Sequence, residues 1–226
     1  MKLNKEILWL KHNEHSEEDI KNAQNLVEQD KYFRPKYHIA PPNGLLNDPN
    51  GLLFKNNEFH IHYQWSPIQP YHGFKHWNYL TTKDFINYKN HGVSITPDHE
   101  DEKWGAFSGS AYNFNGDVKI YYTGNIEAEG NIVEEHQIVA DLIDYKIKNK
   151  RTAVKHDKNI FTPHARDPKI LDYNGKQYMI FGVQTKDDMQ GGLAIYELIT
   201  PEKFNYIDTL KPNWMKLMDI CENVQT

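Results

Sequence analysis

The chain has 226 residues, the length of one large domain or one and a half modules, and enough to bury a real core. Its 26 Lys and Arg against 31 Asp and Glu leave a net charge of -5 with the basic residues scattered, which excludes nucleic acid and anionic membrane surfaces as expected partners. Near-average usage of 13 Gly and 11 Pro, with 10 Phe, 5 Trp and 14 Tyr, excludes a disordered polar chain.

Residues 1–35 differ in texture from the rest. Ser16 with Asp19 three positions on resembles a capping box, and Ile20, Ala23 and Val27 recur at helical spacing, which predicts one surface helix in an N-terminal extension, residues 1–35. From His38 onward, short apolar and aromatic runs are split by Asn, Gly, Pro and Asp, an all-β pattern. Three stretches resemble one another: Asp48 to Tyr63, Gly109 to Tyr122 and Asp167 to Phe181. Each reads as a β-hairpin, turning at Asn56-Asn57, Asn115-Gly116 and Asn174-Gly175, residues that tolerate the positive φ of tight hairpin turns.

The hairpins recur about every sixty residues, with two hairpins' worth of strand per unit, which suits the four-stranded blades of a β-propeller. Blades start their innermost strands around a central channel, so the openers Asp48, Ser110 and Asp167 are expected to converge on one axis. Asp48 and Asp167 are each followed by proline, a common way to open a turn, but their matched placement in repeated units favours chemistry.

Other patterns carry less. Neither His60-Ile61-His62, read as partly exposed strand residues, nor His12-Asn13-Glu14-His15 has a third ligand, so no metal is expected. Gly191-Gly192 lacks the Lys-Ser/Thr of a phosphate loop, and no cofactor is expected. A single cysteine, a charged N-terminus, no bilayer-length apolar run and no Asn-x-Ser/Thr sequon predict a soluble cytoplasmic protein.

Five motifs in order carry a resemblance: Tyr37 through Asn47-Asp48-Pro49-Asn50-Gly51, then Tyr63-Gln64-Trp65-Ser66-Pro67, Lys75-His76-Trp77, Phe107-Ser108-Gly109-Ser110 and Arg166-Asp167-Pro168. From about Tyr37 to Met218 the chain resembles glycoside hydrolase family 32, which includes invertases, fructanases and the bacterial sucrose-6-phosphate hydrolases. The resemblance implies a five-bladed propeller followed by a β-sandwich. At this period residues 36–226 hold roughly three and a half blades, an incomplete catalytic domain with the sandwich absent. Unpaired blade edges would then invite aggregation.

The resemblance also implies roles. Asp48 is the expected nucleophile and Asp167 the transition-state stabiliser of a retaining glycosidase, with Asn47 and Asn50 holding Asp48 ionised. Arg166 would keep both carboxylates charged and could meet a hydroxyl or phosphate, while Gln64, Phe107 and Ser108 line the fructose site. Trp65, Trp77 and Trp104 are either sugar platforms or core, and Tyr71-His72-Gly73 forms part of the pocket rim. The general acid should be the glutamate of a Glu-Cys-Pro motif. Here Glu222 is the candidate, but it follows Cys221 and no proline comes after. A shifted reading frame across Met218 to Asn223 can be written that restores the motif, so the tail suggests a frameshift that truncated a longer ancestor. The implied substrates are sucrose 6-phosphate or sucrose, with fructans open. Neither Lys75 nor Arg151 can be assigned to a phosphate from sequence. A fructoside-binding fragment without turnover is the alternative.

Overall fold

The computed structural model describes residues 7–128 and 131–211. Two short 3-10 turns, Ile7–Trp9 and His12–Glu14, lead into α1, Glu17–Gln29. Its start is the anticipated cap: the Asp19 N–H donates to Ser16 Oγ at 3.1 Å, and the Ser16 hydroxyl donates back to Asp19 Oδ2 at 2.6 Å. Ala23, Leu26 and Val27 share a groove with Ile39, Leu46 and Ile68 of the first blade.

The rest is β. Blade one comprises β1 (Leu45–Lys55), β2 (Glu58–Ser66), β3 (His76–Thr82) and β4 (Tyr88–Ile95). Blade two comprises β5 (Ala106–Phe114), β6 (Asp117–Ala128), β7 (Asn131–Ile143) and β8 (Lys146–Val154). Blade three comprises β9 (Phe161–Tyr173), β10 (Lys176–Thr185), β11 (Gly191–Thr200) and β12 (Lys203–Leu210). Each is a four-stranded antiparallel sheet in simple sequence order, the up-and-down blade of a propeller. The first strands are neighbours, β5 lying between β1 and β9, so these three strands run side by side at the centre. All three expected hairpin turns are left-handed, with φ of 53° and 60° at Asn56 and Asn57, 52° and 105° at Asn115 and Gly116, and 50° and 76° at Asn174 and Gly175.

Two apolar layers hold the blades together. Trp77, Ile95, Ile120, Tyr122 and Ile138 join blades one and two, and Tyr121, Val139, Phe161, Met179 and Phe181 join blades two and three. Alternation along β6 explains the division, since Ile120 and Tyr122 face one layer and Tyr121 faces the other. Trp77 belongs to the first layer and Trp65 to a separate cluster with Ile61, Tyr63 and Leu80 inside blade one; at 0% and 3% exposure, with their indole N–H groups bonded to Phe107 O and Asn43 O, neither offers a face to a sugar. The reading of His60 and His62 as partly exposed is also overturned. Both are buried, because β2 lies inside blade one, and His62 stacks on Tyr79 at 4.2 Å. Burial holds the His62 imidazole neutral, its pKa lowered to about 3.

Ile120, fully buried between blades one and two, should cost about 2–5 kcal/mol of stability when cut to alanine. The exposed Ile86→Ala should stay within about 0.5 kcal/mol of wild type, as read from urea unfolding midpoints.

Candidate active site

The candidate residues are positioned by an irregularity repeated in all three blades. Along β1 and β2 the pairing slips by one between Leu46↔Trp65 and Pro49↔Tyr63, leaving Asn47 and Asp48 opposite Gln64 alone. Along β5 and β6 it slips between Ala106↔Gly124 and Gly109↔Tyr122, leaving Phe107 and Ser108 opposite Thr123. Along β9 and β10 it slips between Gly182↔Arg166 and Ile180↔Lys169, leaving Asp167 and Pro168 opposite Phe181. These are β-bulges, which bend a strand and re-aim its side chains, and they fall sixty residues apart at 47–48, 107–108 and 167–168.

The bulges refine the expected correspondence between blades. Asp48 is the second residue of its bulge and matches Ser108 and Pro168, whereas Asp167 is the first and matches Asn47 and Phe107. The two carboxylates therefore leave equivalent strands from adjacent, not identical, positions. Asp167 adopts a left-handed conformation, φ 67°, which costs a non-glycine residue of order 1 kcal/mol and turns its backbone out of the strand. Ser110, read as a blade opener, instead donates to Pro168 O at 2.8 Å and ties blade two to blade three.

Neighbouring blades meet through polar contacts at these bulges. The Ser108 hydroxyl donates to Asp48 Oδ2 at 2.7 Å across the boundary of blades one and two. Neither asparagine touches that carboxylate, contrary to expectation. Asn50 donates to the Asp48 backbone oxygen at 3.0 Å and accepts from the Gly109 N–H at 3.0 Å, and so braces the loop. Asn47 accepts from Lys75 Nζ at 2.7 Å. A side chain at Gly109 would collide with the Tyr121 backbone, so the close approach of β5 to β6 beside Ser108 requires glycine.

On the other side, the Asp167 N–H donates to Thr123 Oγ1 at 3.0 Å, and the Thr123 hydroxyl donates to Gln137 Oε1 at 2.8 Å. Gln137 Nε2 reaches back to Ala165 O at 2.7 Å. Arg166, expected beside Asp48 and Asp167, meets a third carboxylate. Its Nε lies 2.9 Å from Glu135 Oε2, which also accepts from the Ala165 N–H at 2.6 Å, and its guanidinium sits 5.9 Å from the centre of the Phe107 ring. Gln64, Ser108 and Asp167 are buried, Asp48 and Asn47 half-buried. Glu222, Cys221 and Trp214 lie outside the described residues.

Two buried charged groups stand here, Lys75 of the third motif and Glu135, which no motif marks. Lys75 is 2% exposed; burial lowers its pKa to about 8, and the Asp48 charge opposes that drop. Glu135 is fully buried, and burial pushes its pKa up to about 7 against the pull of Arg166, while Asp167 pushes in the same direction as burial. Glu134-Glu135 reads locally as a solvated acidic pair, and the sequence signal for Glu135 is strand alternation with Val133, Gln137 and Val139. Arg151, which the sequence does not assign to a phosphate, sits on β8 and pairs with Asp141 and Glu202.

Residues 38–224 match the glycosyl hydrolases family 32 N-terminal domain. The chain therefore belongs to glycoside hydrolase family 32. It is 39% identical over 180 residues to a sucrose-6-phosphate hydrolase of Vibrio alginolyticus, covering 79% of this chain and 36% of that protein. It is 34% identical over 179 residues to the Bacillus subtilis (strain 168) sucrose-6-phosphate hydrolase, covering 79% of this chain and 37% of that protein. Among solved structures, a sucrose-6-phosphate hydrolase from Lactobacillus gasseri superposes with a TM-score of 0.88 at 28% identity, covering 97% of this chain and 45% of that one. A mutant Bombyx mori β-fructofuranosidase in complex with sucrose superposes with a TM-score of 0.70 at 26% identity, covering 86% of this chain and 41% of that one. The chain thus spans 36% and 37% of the length of these two curated relatives. The family's N-terminal domain is a five-bladed propeller, of which the described residues form three blades.

Because Glu135 binds its proton more tightly folded than unfolded, folding holds a proton that the unfolded chain releases between its ordinary pKa of 4.5 and about 7. This group's contribution therefore falls as pH rises through that window. Glu135→Gln removes the contribution, so the melting temperature of the variant relative to wild type should move upward between pH 5 and pH 7. A pH-independent difference would contradict this account.

Proposed function

We propose that this chain carries the fructosyl-binding and nucleophilic part of a retaining β-fructofuranosidase whose substrate is sucrose 6-phosphate or sucrose. The observation that carries the reading is the Ser108 hydroxyl on Asp48 Oδ2 inside a bulge whose counterpart presents Asp167. A hydroxyl donated to one carboxylate oxygen orients the group and leaves the other oxygen for attack.

In the proposed reaction, Asp48 attacks the anomeric carbon of the fructosyl unit while a general acid protonates the departing glycosidic oxygen, giving a covalent fructosyl ester. Water then attacks the same carbon, the acid group now acting as base, and retention results from two inversions. Asp167 would hold the fructosyl hydroxyls and interact more strongly as positive charge develops on the ring. Phe107, Ser108 and Gln64 would form the wall and polar contacts, and Arg166, whose Nε bonds Glu135 and whose Nη2 meets His164 Nδ1, would lie beside Asp167. Glu222 is the acid candidate by position in the chain. The match to sucrose-6-phosphate hydrolases supports the phosphorylated substrate, and a soluble cytoplasmic setting fits it; none of the described helices is long and apolar enough to cross a membrane.

The test is release of glucose 6-phosphate or glucose from sucrose 6-phosphate and sucrose by purified protein. Turnover should vanish in Asp48→Asn, while Glu222→Gln should lower it by about 10²–10⁴-fold if that residue is the acid. Binding of fructosides without turnover would instead favour the non-catalytic sugar-binding reading, and activity unchanged in Asp48→Asn would refute the assignment of the nucleophile.

A further inference from the structure

The N-terminal segment is docked beside the site by specific contacts. The Phe74 N–H, in the loop between β2 and β3, donates to Leu8 O at 2.7 Å, and Leu8 itself is buried. A side chain at Gly73 would collide with the Leu8 backbone, so this approach depends on glycine. Further on, the His12 N–H donates to His76 Nε2 at 2.9 Å, and the His12 ring lies 5.2 Å from that of Trp65.

This docking holds Trp9 over Trp104, ring centres 5.8 Å apart and planes 18° apart, with the His72 ring edge-on to Trp9 at 5.7 Å. Both indoles are more than one-third exposed, so the stack leaves apolar area open to solvent. They border a cavity of about 610 Å³ whose other walls are Phe107, Glu127 and Ile132. That volume lies in the range of small-molecule sites. The cavity shares Phe107 with the candidate active site, and the next residue, Ser108, holds Asp48.

We infer that Trp9, brought by the N-terminal segment, and Trp104 form the platform for the leaving-group sugar, the hexosyl ring that departs when the fructosyl unit is transferred. The chemistry of the walls fits such a ring. Its C–H face lies against indole and its hydroxyls donate to Glu127, while His72 supplies a nitrogen that donates or accepts. The inference rests on the fructoside reading above, since it concerns the other half of the same substrate. It also gives residues 7–15 a role in specificity.

The experiment is titration of the full chain with fructose and with sucrose, followed by calorimetry or ligand-observed NMR, for wild type, Trp9→Ala, Trp104→Ala and Trp9→Phe. Trp9→Ala and Trp104→Ala should each weaken sucrose binding by up to about tenfold and leave fructose binding unchanged, and Trp9→Phe should recover most of the loss. Undiminished sucrose affinity in both alanine variants, with fructose still bound, would overturn the inference and leave the fructoside reading intact. Equal loss of fructose and sucrose would also overturn it, by showing that the segment only supports the fold. Wild type that binds neither sugar would remove both readings.

Discussion

One extra residue in the innermost strand of each blade is the constraint on which the site depends. A regular strand would send successive side chains to alternate faces, so residues such as Asn47 and Asp48 could not serve the same centre. The bulge sets two residues against one on the neighbouring strand and locally bends the chain, and its recurrence at 47–48, 107–108 and 167–168 brings equivalent positions of three blades to one place. Hydrogen bonds at and beside the bulges join neighbouring blades: Ser108 to Asp48, Gly109 to Asn50, Ser110 to Pro168 and Asp167 to Thr123. Contacts between blades at this centre are therefore also the ones that orient the candidate nucleophile and stabiliser.

Burial gives the charges around this centre their strength. Lys75 and Glu135 sit where water is excluded, and each has its pKa moved toward neutrality by the cost of carrying charge there. Each is held by a specific partner, Lys75 by Asn47 and Ser66, Glu135 by Arg166 and the Ala165 N–H. Fixed polar groups in a low-dielectric setting do not have to reorganise when charge develops nearby. Arg166 acts within this arrangement as a guanidinium oriented from behind by Glu135 and flanked by the Phe107 ring.

Local signals in the sequence were reliable where local chemistry decides the outcome. Ser16 and Asp19 cap α1 as anticipated, and the Asn-Asn and Asn-Gly pairs turn left-handed as anticipated, because both depend on a few adjacent residues. Asp48, Ser108 and Asp167 were legible as site residues through the ordered motifs around them. Glu135 was not, since an acidic pair on a strand looks solvated until the blade that covers it is known. His60 and His62 failed for the same reason, for polarity suggested exposure and the interior position of β2 overrode it. Trp65, Trp77 and Trp104 are of one residue type in similar texture, yet two are core and the third is exposed at a cavity wall.

Strand alternation, turn conformations and motif order are properties of short stretches, so the all-β class, the sixty-residue period, the turn positions and the candidates for the site follow from sequence alone. Tertiary structure alone decided the bulge register that offsets Asp48 from Asp167 by one position, the pairing of Arg166 with Glu135, the burial of Lys75 and the stacking of Trp9 on Trp104. Each of these joins residues far apart in the chain, and their energies depend on which groups lose water together, a quantity that exists only once the blades have packed.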